Sequence, residues 1–348
     1  MARVKALVFA SFFLSACYLF SNQYRVSSKT DPQEAAEGVI TDSMLRDYVN
    51  FLADPNMTAG RGTGQIGYEI TRDFLAGELR EMGYEVALQK FFVREILFPS
   101  GRRDTAYSWN IIGFLQGGNI DSGTVMFSAH ADHDGVHGNV VFPGADDNAS
   151  GVAVVLGIAR AFGLLKIQGV ILRRSIVICF WGAEETPRME GSYHFVRSEY
   201  ARALRPIVLL NFDMVGRGGF DTLAVLGAKN NKNFSAESPT LYRLVGESNV
   251  DHLVIINTDP TAPEKVVNRF VGSFQRTDSW NFYLHEIPVL FFFAGFHADY
   301  HRPTDTAEKL DYEKMARIAR LAFRIGFRLA ANNVWPVVLR DSVYIDLR

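Results

Sequence analysis

Four short runs of this chain are too uniformly apolar to alternate between a buried and an exposed face. They span residues 124–129, 175–181, 206–212 and 288–293, and segments with helical spacing at 152–162 and 192–204 separate the first three. Strands that are apolar on both sides belong to a sheet covered on both faces, and such sheets are largely parallel. The sequence therefore predicts an α/β fold, a three-layer α/β/α sandwich with a mixed, largely parallel central sheet.

Apolar residues at helical spacing also predict helices near the start and near the end of the domain. Apolar residues recur at that spacing over 42–52 and over 65–82, after which Gly83 supplies a stop. A long helix is predicted over Tyr312–Ala331, with Asp311 as its N-terminal cap. No internal repeat and no linker follow residue 40, so residues 41–348 are predicted to form one domain after a polar tether at 24–40.

The first 23 residues have the pattern of an export signal. Arg3 and Lys5 precede an apolar run over residues 6–20, which is shorter than the roughly 20 residues that a membrane-spanning helix needs. Residues 14–17 read LSAC and resemble the lipobox after which bacterial lipoproteins are cleaved and acylated on cysteine. Ordinary cleavage nearby and an uncleaved membrane anchor are the alternatives. We expect an exported protein, periplasmic or anchored through lipidated Cys17 if the source is bacterial, and otherwise secreted.

Composition removes one class of partner. The chain carries 36 Lys and Arg residues against 38 Asp and Glu residues, a net charge of −2, and its basic residues do not cluster. Nucleic acid is therefore not an expected partner. Beyond the signal segment only Cys179 remains, within an apolar run, which indicates a buried thiol and no internal disulfide. The sequence carries no signal for an oligomeric state.

Residues of metal-binding type follow each buried strand. In chain order they are His130 and Asp132, then Glu184 and Glu185, then Asp213, and finally Tyr300 and His301. The loop after the first strand also contains GADDNASG, residues 144–151, at the mouth of the next helix. Each motif alone fits a helix cap, a turn or a solvated surface. Because ligands of open α/β sheets bind beyond the carboxyl ends of the strands, their conjunction predicts one shared site.

The residue types at this rim indicate which ion they would bind. So many acidic groups close together would repel one another at a cost of several kcal/mol unless a cation neutralised them. Two imidazoles with three carboxylates and no thiolate fit zinc, with manganese or cobalt as substitutes, whereas calcium prefers oxygen ligands only. One catalytic zinc takes fewer ligands than this set supplies, so the site is predicted to hold two ions bridged by one carboxylate.

At these residues the sequence resembles the co-catalytic zinc aminopeptidases, the family of bacterial leucyl-type and aminopeptidase Y enzymes. Glutamate carboxypeptidase II and, more distantly, glutaminyl cyclase are related to it. The likeness extends from GRGTG at residues 60–64 to YHRPTDT at 300–306, and the motifs HAD, GADDNASG, WGAEE, NFDMVG and DYHRPTDT stand in the family's order. As an ordered set, these motifs are a specific match over nearly the whole mature chain.

The resemblance implies a ligand set. One zinc would be held by His130 and Asp213, and the other by Glu185 and His301. Asp147 would bridge both ions, because the family's bridging acid directly precedes the Asn-Ala-Ser-Gly portion of the loop. Asp146 and Asn148 would be left to serve the backbone.

The resemblance also implies catalytic roles for three further residues. Glu184 would act as the general base toward the attacking water and later protonate the departing amine. Asp132 would orient the imidazole of His130, and Tyr300 would donate a hydrogen bond to the oxyanion. The implied activity is a zinc-dependent aminopeptidase that binds two zinc ions per chain and acts on peptides with a free N-terminus.

Two alternatives share this fold. A glutaminyl-peptide cyclotransferase would use a single zinc, and a binding relative would be catalytically silent. Retention of all five ligands and of Glu184 favours the hydrolase over both. Within the family, cleavage of carboxypeptidase-type substrates is a further alternative activity.

Several other motifs are given structural interpretations. GRGTG follows no strand and lacks the spacing of a dinucleotide fingerprint, so it is interpreted as a flexible turn. His133 and His137 do not sit at the strand end and are not expected to replace His130. Four further histidines are interpreted as surface or packed residues: His194, His252, His285 and His297. In the QRTDSW segment, Arg276, Asp278 and Ser279 are interpreted either as neighbours of the pocket or as part of a capped loop.

Overall fold

The computed structural model describes residues 31–97, 103–219, 221–227, 236–255, 273–336 and 339–340. The strands in these ranges are β1 (Glu85–Leu97), β2 (Arg103–Leu115), β3 (Thr124–His130), β4 (Gly135–His137), β5 (Val140–Phe142), β6 (Ser175–Trp181), β7 (Pro206–Phe212), β8 (Thr222–Leu226), β9 (Ala236–Glu237), β10 (Val254–Ile255), β11 (Val289–Phe293) and β12 (Leu339–Arg340). The α-helices are α1 (Pro32–Gly38), α2 (Asp42–Leu52), α3 (Ile66–Glu81), α4 (Gly151–Ile167), α5 (Glu190–Val196), α6 (Glu199–Leu204), α7 (Pro239–Ser248), α8 (Ser279–Leu284) and α9 (Tyr312–Ala331).

The main sheet has eight strands in the order β1-β2-β6-β3-β7-β11-β8-β10. Its centre, β6-β3-β7-β11, is parallel throughout, whereas β2 and β8 join it antiparallel on either side. The register sets His130 opposite Trp181, so β3 and β6 end level with each other. The central strands therefore deliver their following loops to one edge of the sheet.

Helices cover both faces of the sheet, as the uniformly apolar strands require. On one face Phe127 of β3 contacts Phe162 of α4, which in turn contacts Phe323 of α9. On the other face Trp181 packs with Phe195 of α5 and with a phenylalanine of α8. The predicted three-layer α/β/α sandwich is confirmed.

Helix α4 is apolar on nearly all sides, and almost all of its residues are buried. Together with the turn before it, Ala145–Ile167 is the one stretch in the described ranges long and apolar enough to cross a membrane, and 83% of its most apolar window is buried. Such a helix is expected in the core of a doubly covered sheet. Cys179, in the neighbouring strand β6, is also buried, as the sequence indicated.

Most predicted elements are found close to their expected bounds. The last helix spans Tyr312–Ala331, and the Asp311 carboxylate accepts a hydrogen bond from the Lys314 N–H at 3.0 Å, the predicted cap. The single helix expected over 192–204 is instead α5 and α6. They separate at Ser198, which has an extended backbone and donates its hydroxyl to the Phe195 carbonyl oxygen at 2.7 Å.

The tether prediction is wrong for residues 31–40. Helix α1 begins after Asp31, whose carboxylate accepts from the Gln33 N–H at 2.7 Å, and Ala36 is fully buried in the core. Arg324 of α9 donates its Nε–H to Glu37 at 2.9 Å and so ties α1 to the last helix. These residues belong to the folded domain, and the predicted export signal at 1–23 lies outside the described residues.

Candidate metal centre

The residues predicted to bind metal lie together at the carboxyl edge of the sheet. His130 is the last residue of β3, Asp213 directly follows β7, and Glu185 lies in the loop after β6. His301 comes from the loop after β11, and Asp147 comes from the wide helical turn Ala145–Ser150 that precedes α4. The structure thus brings all five predicted ligands into one cluster.

One half of the cluster is formed around His130. Its Nε2 atom lies 3.3 Å from Asp147 Oδ1 and 3.4 Å from Asp213 Oδ1. The His130 side chain is only 2% exposed, so these groups face one another out of contact with bulk water.

The other half is formed around His301. Its Nε2 atom lies 3.2 Å from Asp147 Oδ2 and 3.3 Å from Glu185 Oε2. The two carboxylate oxygens of Asp147 therefore face two different histidines, which is the arrangement of a carboxylate that bridges two ions.

The turn that carries Asp147 is held by its own polar residues. The Asp305 carboxylate accepts from the backbone N–H groups of Asp146 at 2.9 Å and Asp147 at 3.1 Å. Asn148 donates to the Phe212 carbonyl oxygen at 2.8 Å, at the end of β7. Asp146 Oδ1 accepts from the Gly216 N–H at 2.6 Å, so the flanking residues serve the backbone while the Asp147 carboxylate faces the site.

GRGTG is not a flexible turn. Arg61 is completely buried, and its guanidinium donates to backbone carbonyl oxygens on both sides of the site: those of Leu52, Ala131, Pro143, Gly144 and Asp147, at 2.5 to 3.4 Å. Burial lowers the pKa of Arg61 to about 10, with the nearby Asp147 carboxylate opposing that shift. The guanidinium stays charged at neutral pH, and the segment acts as a rigid clamp on the turn that presents Asp147.

Asp132 lies next to His130, but the hydrogen bonds of its carboxylate go mainly to other residues. His130 Nδ1 lies 3.2 Å from the Asp132 backbone oxygen and 4.0 Å from its carboxylate. The carboxylate accepts instead from the N–H groups of Glu184 at 3.0 Å and Glu185 at 3.3 Å, and from the Thr63 hydroxyl at 3.0 Å. The Asp132 carboxylate therefore holds the backbone of Glu184 and Glu185 in place and also lies near His130.

Glu184 and Tyr300 line the same small cavity as the cluster. One ligand atom each from His130, Glu184 and Glu185 lies within 4.8 Å of the others. Burial raises the pKa of Glu184 well above its ordinary value. Burial, followed by the charge of Asp147, also raises the pKa of Tyr300, so its hydroxyl stays protonated and can donate. Aromatic and polar side chains complete the cavity wall: Met214, Ser273, Arg276, Thr277, Phe291, Phe293 and Phe296.

Sequence reasoning missed His133. The residue does not end a strand, yet its Nδ1 lies 3.0 Å from Glu185 Oε1. No spacing rule in the sequence predicts this approach, because it depends on the path of the loop after β3. His297 is packed, as the sequence interpretation allows: its side chain is 9% exposed and its Nε2 lies 3.2 Å from Asp146 Oδ2. His194, by contrast, is 37% exposed beside Glu190, as expected.

The chemistry of the cluster fits zinc. Asp147 Oδ2 and His301 Nε2 are buried polar atoms that lack a hydrogen-bond partner. Burial and the neighbouring Asp147 carboxylate raise the pKa of Glu185 to about 8, which shows that the acids are short of positive charge. Imidazole nitrogens and carboxylate oxygens without thiolates are ligands that suit zinc.

Comparison with known proteins decides the family. Residues 110–325 match the sequence profile of Peptidase family M28. The chain belongs to peptidase family M28. This confirms the family resemblance drawn from the motifs, and the matched segment contains every residue of the predicted site, from His130 to His301.

Relatives of this M28 peptidase include proteins of very different length. It is 25% identical over 252 residues to the uncharacterized protein YfbL of Escherichia coli, covering 65% of this chain and 75% of that protein. It is 31% identical over 188 residues to the mouse aminopeptidase NAALADL1, covering 47% of this chain but only 24% of that longer protein. The shared region of NAALADL1 is thus about a quarter of its length.

Two solved structures show the same fold. The LapA aminopeptidase of Legionella pneumophila has a TM-score of 0.63 at 18% identity, covering 90% of this chain and 79% of that one. The glutaminyl cyclase of Porphyromonas gingivalis has a TM-score of 0.62 at 21% identity, covering 82% and 97%. The fold is therefore common to a peptidase and a cyclase, and the site has to distinguish the activities.

Proposed function

We propose that this M28 peptidase is a zinc-dependent aminopeptidase that uses two metal ions to remove N-terminal residues from peptides. The observation that carries the proposal is the Asp147 carboxylate, whose two oxygens face His130 and His301 at 3.3 and 3.2 Å. In this assignment His130 and Asp213 hold one zinc, and Glu185 and His301 hold the other. A cyclotransferase with a single ion would need only one of these two halves.

The metal ions and Glu184 would divide the chemistry between them. When bound, the two zinc ions polarise the scissile carbonyl, activate water at neutral pH and bind the free α-amino group. Glu184 accepts the proton of the attacking water and returns it to the departing amine.

Two further groups support that transfer. Asp132 accepts the N–H of Glu184 at 3.0 Å and so holds the base in place. Tyr300, at the cavity wall, donates its hydroxyl to the oxyanion that develops on the former carbonyl. Phe291, Phe293 and Phe296 also line this cavity. Their apolar surface favours an apolar first side chain in the substrate.

The test compares matched substrates and variants. Wild type should hydrolyse a peptide with a free N-terminus, and acetylation of that terminus should abolish cleavage. Glu184→Gln should keep two zinc ions per chain and lose at least about 100-fold in kcat, whereas Glu199→Gln, a change on the exposed surface, should retain wild-type turnover. Unchanged turnover in Glu184→Gln would overturn the assignment.

The same experiment distinguishes an aminopeptidase from a glutaminyl-peptide cyclotransferase. A glutaminyl-peptide cyclotransferase would release ammonia from an N-terminal glutamine peptide without cleaving any peptide bond, and it would bind one zinc per chain. Two zinc ions with peptide cleavage support the aminopeptidase. One ion with ring closure refutes it.

We also propose that the protein is exported through residues 1–23. The proposal rests on Arg3 and Lys5, the apolar run at 6–20 and the LSAC tetrapeptide. Mass spectrometry of the mature N-terminus provides the test. A diacylated Cys17 supports anchoring, cleavage elsewhere supports a secreted form, and an intact Met1 in a cytosolic fraction refutes export.

A further inference from the structure

Two residues outside the expected ligand set stand against the second half of the metal centre. His133 and Asp134 directly follow the HAD motif. His133 Nδ1 lies 3.0 Å from Glu185 Oε1, and Asp134 Oδ2 lies 3.3 Å from His301 Nδ1. Each therefore lies against a ligand of the second half, and His133 Nδ1 also lies 3.7 Å from Asp147 Oδ2.

The His133 contact is built into the surrounding backbone. The side chain is completely buried, and the His133 N–H donates to the Arg61 carbonyl oxygen at 3.3 Å. Its ring lies against Gly144, where a Cβ atom would come within 2.4 Å of His133 Cδ2. Once Glu185 is ionised as a metal ligand its carboxylate can only accept, so this contact then requires the proton of His133 on Nδ1. This leaves Glu185 Oε2 toward His301 Nε2, at 3.3 Å.

Asp134 completes the second contact. Its Oδ2 atom lies 3.3 Å from His301 Nδ1, on the side of the ring opposite Nε2, which faces Asp147 Oδ2 at 3.2 Å. Carboxylates that hold a histidine in this way fix both its tautomer and its ring orientation. His301 needs such support more than His130 does, since its side chain is 34% exposed and that of His130 only 2%.

We infer that His133 and Asp134 are positioning residues for the second half of the metal centre, setting the orientation of Glu185 and His301 toward its zinc ion. The inference rests on the proposed function. The first half, around His130 and Asp213, does not depend on them. Loss of either contact should therefore weaken one ion and leave the other in place.

The experiment measures metal binding directly. Zinc-loaded wild type, Asp134→Asn and His133→Phe are mixed with a chromogenic chelator, and the amplitude and rate of each release phase are recorded. Both variants should lose about 10- to 100-fold in affinity for one zinc ion, the usual effect of removing such a partner, with the second phase unchanged. His194→Gln, which breaks a histidine–carboxylate pair that includes no predicted ligand, should release zinc as wild type does.

The outcomes separate this inference from the proposed function. Wild-type release of both ions in Asp134→Asn and His133→Phe would refute the positioning role while leaving the two-metal assignment intact. Equal loosening of both ions would also refute it, because the effect would not be confined to one half. Fewer than two zinc ions in wild type would overturn both proposals. If His133→Phe fails to fold, as judged by circular dichroism without metal, Asp134→Asn decides alone, since its side chain is partly exposed.

Discussion

Replacing Arg61 by methionine should remove the clamp beneath the metal centre. The arginine is fully buried and its guanidinium satisfies five backbone carbonyl oxygens, at distances from 2.5 to 3.4 Å. Methionine fills similar space but donates no hydrogen bond. Both residues carry a Cβ, so the positive φ of 57° costs the same before and after the change.

The size of the effect follows from the acceptors left behind. Each buried acceptor without a partner costs about 1–3 kcal/mol. Leu52 keeps the Thr58 hydroxyl and Gly144 keeps the Ala149 N–H as donors. The contact to the Asp147 carbonyl at 3.4 Å is weak, so the loss falls mainly on the Ala131 and Pro143 carbonyl oxygens. We therefore expect Arg61→Met to lower the free energy of unfolding by about 4 kcal/mol, a large share of the roughly 5–15 kcal/mol of a typical domain.

Urea unfolding followed by circular dichroism, with a chelator present, measures this loss without metal binding. The control is Arg202→Met, since Arg202 is 65% exposed beside Glu199 and its replacement should leave the free energy of unfolding close to that of wild type. A loss below about 1 kcal/mol in Arg61→Met would show that the carbonyl oxygens find other donors, and the clamp reasoning would be refuted.

Three further changes test other parts of the account. Gly144→Ala should destabilise the fold and lower zinc affinity, because φ is +58° and the new Cβ would lie 2.2 Å from the Asp147 carbonyl oxygen; normal zinc titration would contradict this. Tyr300→Phe should lower kcat by about 100- to 1,000-fold with little change in KM, since the hydroxyl acts on the oxyanion; an effect on KM alone would contradict that role. Burial lowers the pKa of Lys314 from 10.5 to about 8, so between these values the unfolded chain binds more protons than the folded one. Wild-type stability relative to Lys314→Met should therefore rise by about 3 kcal/mol from pH 8 to 10.5 in urea unfolding, and a flat difference would count against it.

Much of the sheet could be predicted because its central strands are apolar on both faces. The bounds 175–181 and 206–212 were predicted from composition alone and match β6 and β7. The antiparallel flanks and the break at Ser198 were harder to predict. They depend on tertiary pairing and on one side chain that bonds back to its own helix.

Convergence of the site could be predicted in part, for the same physical reason. His130, Asp213 and Glu185 come together because parallel strands end at one edge, which a sequence reveals. The contacts of Asp134 with His301 and of Arg61 with its carbonyl oxygens join segments far apart in the chain. No periodicity links such segments, so these contacts could only be found in the structure.

Sharing of the Asp147 carboxylate by two zinc ions can be observed in a crystal structure of the zinc-loaded protein, with anomalous differences recorded on both sides of the zinc absorption edge. Two peaks are expected, one beside His130 and Asp213 and one beside Glu185 and His301, with an Asp147 oxygen next to each. A single peak, or two peaks that Asp147 does not bridge, would contradict this sharing.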